Sequence, residues 1–215
     1  RKSGPGVVCD TYIRRFSMTG QINVNKIAAR TGTTISMESG HKIMMPGSIV
    51  QTQFTRYATA TTQSITASTD TVLSGFSVNI TPTASNSLIK LESSWFGEII
   101  TTQEWNHFFF YYRDSTKIPA VSDMTSFGDD PGVRPYGIAK AGTSYYAGAD
   151  DSTTPNYCTW SYFDLPNTTS QITYKVGFRC QNTNTLYTNR TITDTNQTTG
   201  VERGMCFISA TEIAQ

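Results

Sequence analysis

The sequence predicts an all-β protein: a single β-sandwich, jelly-roll-like, of about eight strands, preceded by a short N-terminal β neck. Three observations carry this prediction. Serine and threonine make up about a quarter of the chain, well above ordinary globular usage. Aromatic residues reach 12% and charged residues only 15%, a balance that suits pleated, half-buried strands. Several segments alternate apolar and polar side chains with period two, while no stretch of ten residues or more carries a helical period.

The elements follow in order. Residues 1–20 have no clear period and are read as a linker or docking tail, with Gly4-Pro5-Gly6 as a turn. Arg1 rather than Met stands first, which fits a missing leader, tag or larger N-terminal part. Residues 21–46 hold short strand patterns punctuated by Gly32 and Gly40, with apolar Ile22, Val24, Ile27 and Ile35. Strands this short do not bury a core alone. They are expected to form a neck around a threefold axis, which makes the chain a homotrimer. The sandwich is assigned to residues 47–215.

Within it, strands are expected over residues 49–57, 71–80, 87–100, 106–113, 157–164, 172–180, 186–189 and 205–213. Alternation places Val72, Phe76, Val78 and Ile80 inward on the second, and Ile89, Leu91, Trp95 and Ile99 inward on the third. Ile172, Tyr174, Val176 and Phe178 form the cleanest inward face. On the last strand Met205, Phe207, Ser209 and Ile213 are read as one face. Residues 114–156 form one long connection rich in glycine and proline, with short strands expected near 133–138 and 143–147. Loops this long inside a compact domain are usually functional.

Chemistry is sparse. A net charge of +1 excludes a dedicated nucleic-acid surface, and no apolar run is long enough for membrane insertion as a helix. Cys9, Cys158, Cys180 and Cys206 have no metal-ligand spacing and read as buried thiols, with a Cys158–Cys180 disulfide as the sharper alternative. His107 reads as a packed strand residue, and His41 lies in the neck. Glu98 and Glu104 are the nearest thing to a glycosidase pair but read equally as exposed strand-end charges. The sequence therefore points to no enzyme, no cofactor and no metal. The sequons at Asn79, Asn167, Asn189 and Asn196 arise readily in a threonine-rich chain.

The long loop carries the candidate ligand contacts. Tyr136, Tyr145 and Tyr146 offer rings for stacking on a sugar, and Asp150 and Asp151 offer acceptors for hydroxyl protons. The pair Asp129-Asp130 reads as solvated loop acids without calcium-loop spacing.

Five segments taken together resemble a known module. They are Gly47-Ser48-Ile49-Val50-Gln51, Ser87 through Leu91, Ser161 through Ser170, Tyr174-Lys175-Val176, and the closing Ala210-Thr211-Glu212-Ile213-Ala214. Their order is similar to that of a β-sandwich module in structural and tail-fibre proteins of tailed phages, especially those of marine bacteria. Val24-Asn25-Lys26-Ile27 and Thr31 through Ile35 resemble the lead-in before fibre tips. The resemblance implies a virion-surface protein, assembled in the host cytoplasm: a trimeric fibre or appendage subunit. It gives no ligand; host-surface glycan is expected from the tyrosines and acids of the long loop. The N-terminal segment, residues 1–20, has no counterpart in the resemblance and is itself read as the part that docks on other virion proteins. The alternatives are a capsid- or tail-bound decoration subunit and, further off, a glycan-processing enzyme.

Overall fold

The chain divides into two compact units, residues 1–41 and 42–215. The structure, a computed structural model, describes residues 45–99, 106–125, 134–141, 153–198 and 200–215, all within the second unit. The tail at 1–20 and almost all of the neck, including Ile22, Val24, Ile27 and Ile35, lie outside the described residues. No helix among the described residues is long and apolar enough to cross a membrane.

The described residues of the second unit are nearly all β. Among them ten strands run in order: β1 (Ile49–Tyr57), β2 (Thr61–Ile65), β3 (Thr71–Ile80), β4 (Leu88–Ile99), β5 (His107–Arg113) and β6 (Thr116–Ile118), then β7 (Asn156–Asp164), β8 (Ile172–Cys180), β9 (Asn184–Thr188) and β10 (Cys206–Ile213). One short helix, α1 (Val121–Thr125), follows β6. Sheet A has the order β1-β10-β4-β9-β2, with β7 also paired to β4. Sheet B has the order β3-β8-β5-β6. Every pairing is antiparallel. The all-β sandwich is therefore as expected, with two more strands than the eight read from periodicity.

Both extra strands lack a periodic signal. β2 reads Thr-Thr-Gln-Ser-Ile and buries only Ile65, while β6 is a three-residue return strand against β5. The long connection begins after β6 rather than after β5. Of the short strand expected at 133–138, the described part, 134–138, forms no strand, and a single bridge, Ala139 to Phe109, follows it. The one expected at 143–147 lies outside the described residues.

The core sits between the sheets and is centred on Phe109. Its ring lies 5.0 Å from Trp160, 5.0 Å from Phe178 and 5.1 Å from Trp95. The expected inward faces of β4 and β8 hold: Ile89, Leu91, Trp95, Ile99, Ile172, Tyr174, Val176 and Phe178 are all buried. Two faces need correction. In β3 the register shifts between Val72 and Ser77, where Gly75 takes φ +75°. That irregularity turns Val72 outward and brings Leu73 in, because an extra residue reverses the alternation before it. In β10 the whole face is reversed. Cys206, Ile208, Ala210 and Glu212 point inward, and Met205 and Phe207 are exposed. β10 packs across from β3, whose Phe76, Val78 and Ile80 supply much of the bulk, so that the small Cys206 and Ala210 fit inward there.

The sandwich has two distinct ends. Gly47 N donates to Ala214 O at 2.7 Å, and Gln51 Nε2 donates to Thr81 O at 2.7 Å. The start of β1, the end of β10 and the β3–β4 turn therefore share one end, where the chain joins the sandwich. The β2–β3 turn, the start of β5 and the end of β8 lie at the other.

Candidate functional site

The far end carries a groove of about 410 Å³ lined by Ser68, Asn106, Phe108, Pro135, Arg179, Cys180 and Gln181. That size is in the range of small-ligand sites. Its floor follows from strand register. Phe108 of β5 and Arg179 of β8 are directly opposed, and alternation sends both to the outer face of sheet B. Their neighbours His107 and Phe178 turn inward and stack at 5.6 Å.

The rim is made by turns that leave the strands. Gln181 N donates to Asn106 O at 2.9 Å, and the two side-chain amides are also bonded to each other. Ser68 takes φ +53° in the β2–β3 turn; its N donates to Cys180 O at 2.8 Å and its Oγ to Gln181 O at 3.3 Å. The remaining wall is the described part of the long loop. Ile138 N donates to Phe109 O at 2.8 Å, and Phe109 N to Ala139 O at 2.7 Å. Gly137 permits this approach, since a Cβ there would lie 2.6 Å from Phe108 Cβ. Pro135 is thereby held beside the groove.

Charge around the groove is organised by Asp70. Arg179 Nη1 lies 3.2 Å and Lys117 Nζ 3.0 Å from its two carboxylate oxygens. Two cations share one anion, leaving a modest positive balance on this face. Burial pushes the Cys180 thiol up, against the pull of Arg179 in the other direction, so the groove wall presents a neutral thiol. The arrangement offers an apolar ring, two carboxamides, a hydroxyl and a guanidinium. Such a set hydrogen-bonds and stacks.

The expected site residues fare differently. Tyr136 is described, but its ring covers the Lys117 ammonium at 4.0 Å, with Phe110 at 4.2 Å from the same nitrogen. That cation–π contact gives Tyr136 a part in pinning the loop to sheet B, and it does not line the groove. Tyr145, Tyr146, Asp150 and Asp151 lie outside the described residues, as do Glu104, His41, Asp129, Asp130 and Cys9. Glu98 corrects its reading as an exposed charge: it is fully buried, and its Oε2 accepts from Ile192 N at 2.6 Å. His107 is a packed core residue whose Nε2 accepts from Ala141 N at 3.1 Å. Cys158, Cys180 and Cys206 are free thiols, which overturns the Cys158–Cys180 alternative; the two strands that carry them belong to different sheets. Among the described residues no cluster of His, Cys, Asp or Glu is placed to hold a metal ion.

Periodicity missed Ser68, Asn106, Phe108, Arg179 and Gln181. They are outward strand positions and turn residues brought together from three stretches of chain. The nearest sequence signal was the amide residue just outside each of two adjacent strands, Asn106 before β5 and Gln181 after β8. Comparison of the chain with protein families and with curated proteins finds no match.

Proposed function

We propose that the chain is a structural and adhesive module, one subunit of a homotrimeric phage fibre or appendage, which binds host-surface glycan through the groove at the far end of the sandwich. The observation that carries this reading is polarity. The chain joins the sandwich at the Gly47 end, and the groove opens at the opposite end beside the long loop. A module held at one end and recognising at the other suits an appendage.

The chemistry of the groove supports a sugar. The Phe108 ring gives a face for the apolar side of a pyranose, and the Asn106 and Gln181 carboxamides can donate and accept toward hydroxyls. Arg179 adds a charge-assisted donor and favours neutral or acidic sugars over cationic ones.

The test is calorimetric titration of oligosaccharides released from the host envelope, together with adsorption to whole cells. Asn106→Ala combined with Gln181→Ala is expected to weaken binding by about tenfold or more, the equivalent of at least one lost hydrogen bond. Unchanged affinity in a variant with an unchanged melting temperature would move recognition away from this groove.

A further inference from the structure

The outer face of sheet A is unlike the rest of the surface that the described residues form. Phe54, Tyr157, Phe163, Met205 and Phe207 are five of the ten large apolar side chains exposed among the described residues. Four lie on its strands and Met205 just ahead of β10. Phe54 is 69% exposed and Tyr157 59%. Monomeric proteins rarely leave apolar area gathered on one face.

Register gives the face a relief. Across the strands, one row reads Phe54, Ser209, Glu92, Ser161, and the next reads Arg56, Phe207, Ser94, Thr159. Large apolar side chains thus form a ridge over β1 and β10, where Phe54, Met205 and Phe207 line a shallow apolar hollow with Arg56. Small hydroxyl residues Ser94, Thr159 and Ser161 form a trough over the middle of β4 and β7, bounded at its two ends by the exposed Tyr157 and Phe163. The charges are divided in the same way. Arg56 stands on the ridge flank, and Glu92 stands in the trough with Lys90 at 2.9 Å. β1 is also an edge strand of nine residues beside the ridge, and an edge of that length with exposed apolar neighbours is normally covered.

We infer that this face is where copies of the chain meet, the ridge of one copy lying against the trough of the next with Arg56 opposite Glu92. Ridge and trough are different parts of one surface, and in the proposed trimer each copy's ridge meets the next copy's trough in one direction only, a head-to-tail contact that the threefold axis closes as a ring. This rests on the trimer proposed above and assigns its contact surface. The ring turns the apolar face toward its axis and leaves the groove end free.

The experiment is sedimentation equilibrium of the full chain over a hundredfold concentration range, with circular dichroism to verify folding. Phe54→Ser with Phe207→Ser is expected to weaken assembly at least tenfold, because both side chains are exposed and their loss leaves the fold intact. Val72→Ser, an exposed apolar position on sheet B, should leave assembly unchanged. Arg56→Glu should weaken assembly, and adding Lys90→Glu with Glu92→Lys should restore it, since the triple change inverts every charge while keeping each pair. A parent that sediments as a monomer of 23.7 kDa at all concentrations overturns both this inference and the trimer. A trimer indifferent to the Phe54 and Phe207 changes overturns the inference alone and places the contact elsewhere. The inference also falls if those changes abolish binding to anionic lipid vesicles but leave the trimer intact, because the occupant is then a membrane surface.

Discussion

Glu212 is fully buried on β10 and remains charged. Burial raises its pKa, the largest single influence. Hydrogen bonds from Ser87 Oγ, from Thr83 Oγ and N, and from Gln51 Nε2, all between 2.6 and 2.7 Å, outweigh it and hold the carboxyl at about 2. A depressed pKa contributes stability above the unfolded value of 4.5, and that contribution is lost as pH falls toward 2. The shift corresponds to stabilisation on the order of 3 kcal/mol at neutral pH. Guanidine unfolding at several pH values should therefore show the parent losing stability below pH 4.5, with Glu212→Gln less stable at pH 7 and flatter across that window. Nothing in the alternation of β10 signalled this residue. Hydropathy favours Met205 and Phe207 inside, and the groups that satisfy Glu212 come from positions 51, 83 and 87. Phe178, by contrast, was legible. It packs on Phe109 and His107, so Phe178→Ala should cost about 3–5 kcal/mol in chemical unfolding, while Thr173→Ala on the opposite face stays within about 0.5 kcal/mol.

At the level of elements, backbone contacts decide where strands can meet. β9 joins β4 through Gly97, which pairs with Thr188. A Cβ at Gly97 would lie 2.0 Å from Tyr187 O and 2.6 Å from the Trp95 ring, and neither backbone nor buried indole can yield cheaply. Gly97→Ala is therefore expected to lose about 3 kcal/mol by overpacking, read as a lower melting temperature, whereas an alanine at exposed Gly47 meets no neighbour and costs only backbone strain. On sheet B the pairing of Phe110 with Gly177 is of the opposite kind, the ring lying over the space a side chain would take. Most long strands were legible in the sequence because they bury a continuous inward row. β2 and β6 were not, because neighbouring strands hold them more than their own apolar residues do. β3 was legible in extent but not in register before Gly75, since a glycine in a strand does not announce which way a bulge turns the chain.

At the scale of the molecule, the single sandwich was legible and the groove was not. Alternation locates strands, but the groove depends on which strand ends lie side by side, and the long loop was identified without the turns at 68, 106 and 181 that complete it. The interior is also chemically quiet. Burial pushes the Cys158 thiol up to about 12, with Cys206 nearby adding to the rise and a backbone bond at Trp95 opposing it. Burial likewise takes Cys206 to about 11 against a backbone bond at Phe96. In a Cys9→Ser background, iodoacetamide at pH 8 should label Cys206 roughly a hundredfold and Cys158 roughly a thousandfold more slowly in the native protein than in urea, following the thiolate fraction. The two-ended layout has a mechanical meaning as well. A pull applied through Gly47 against a load held at the far end runs along β1, whose ladder to β10 extends from Ile49 opposite Ile213 to Tyr57 opposite Cys206. Those hydrogen bonds stand across the direction of the pull, so they bear it together in shear instead of parting one after another like a zip.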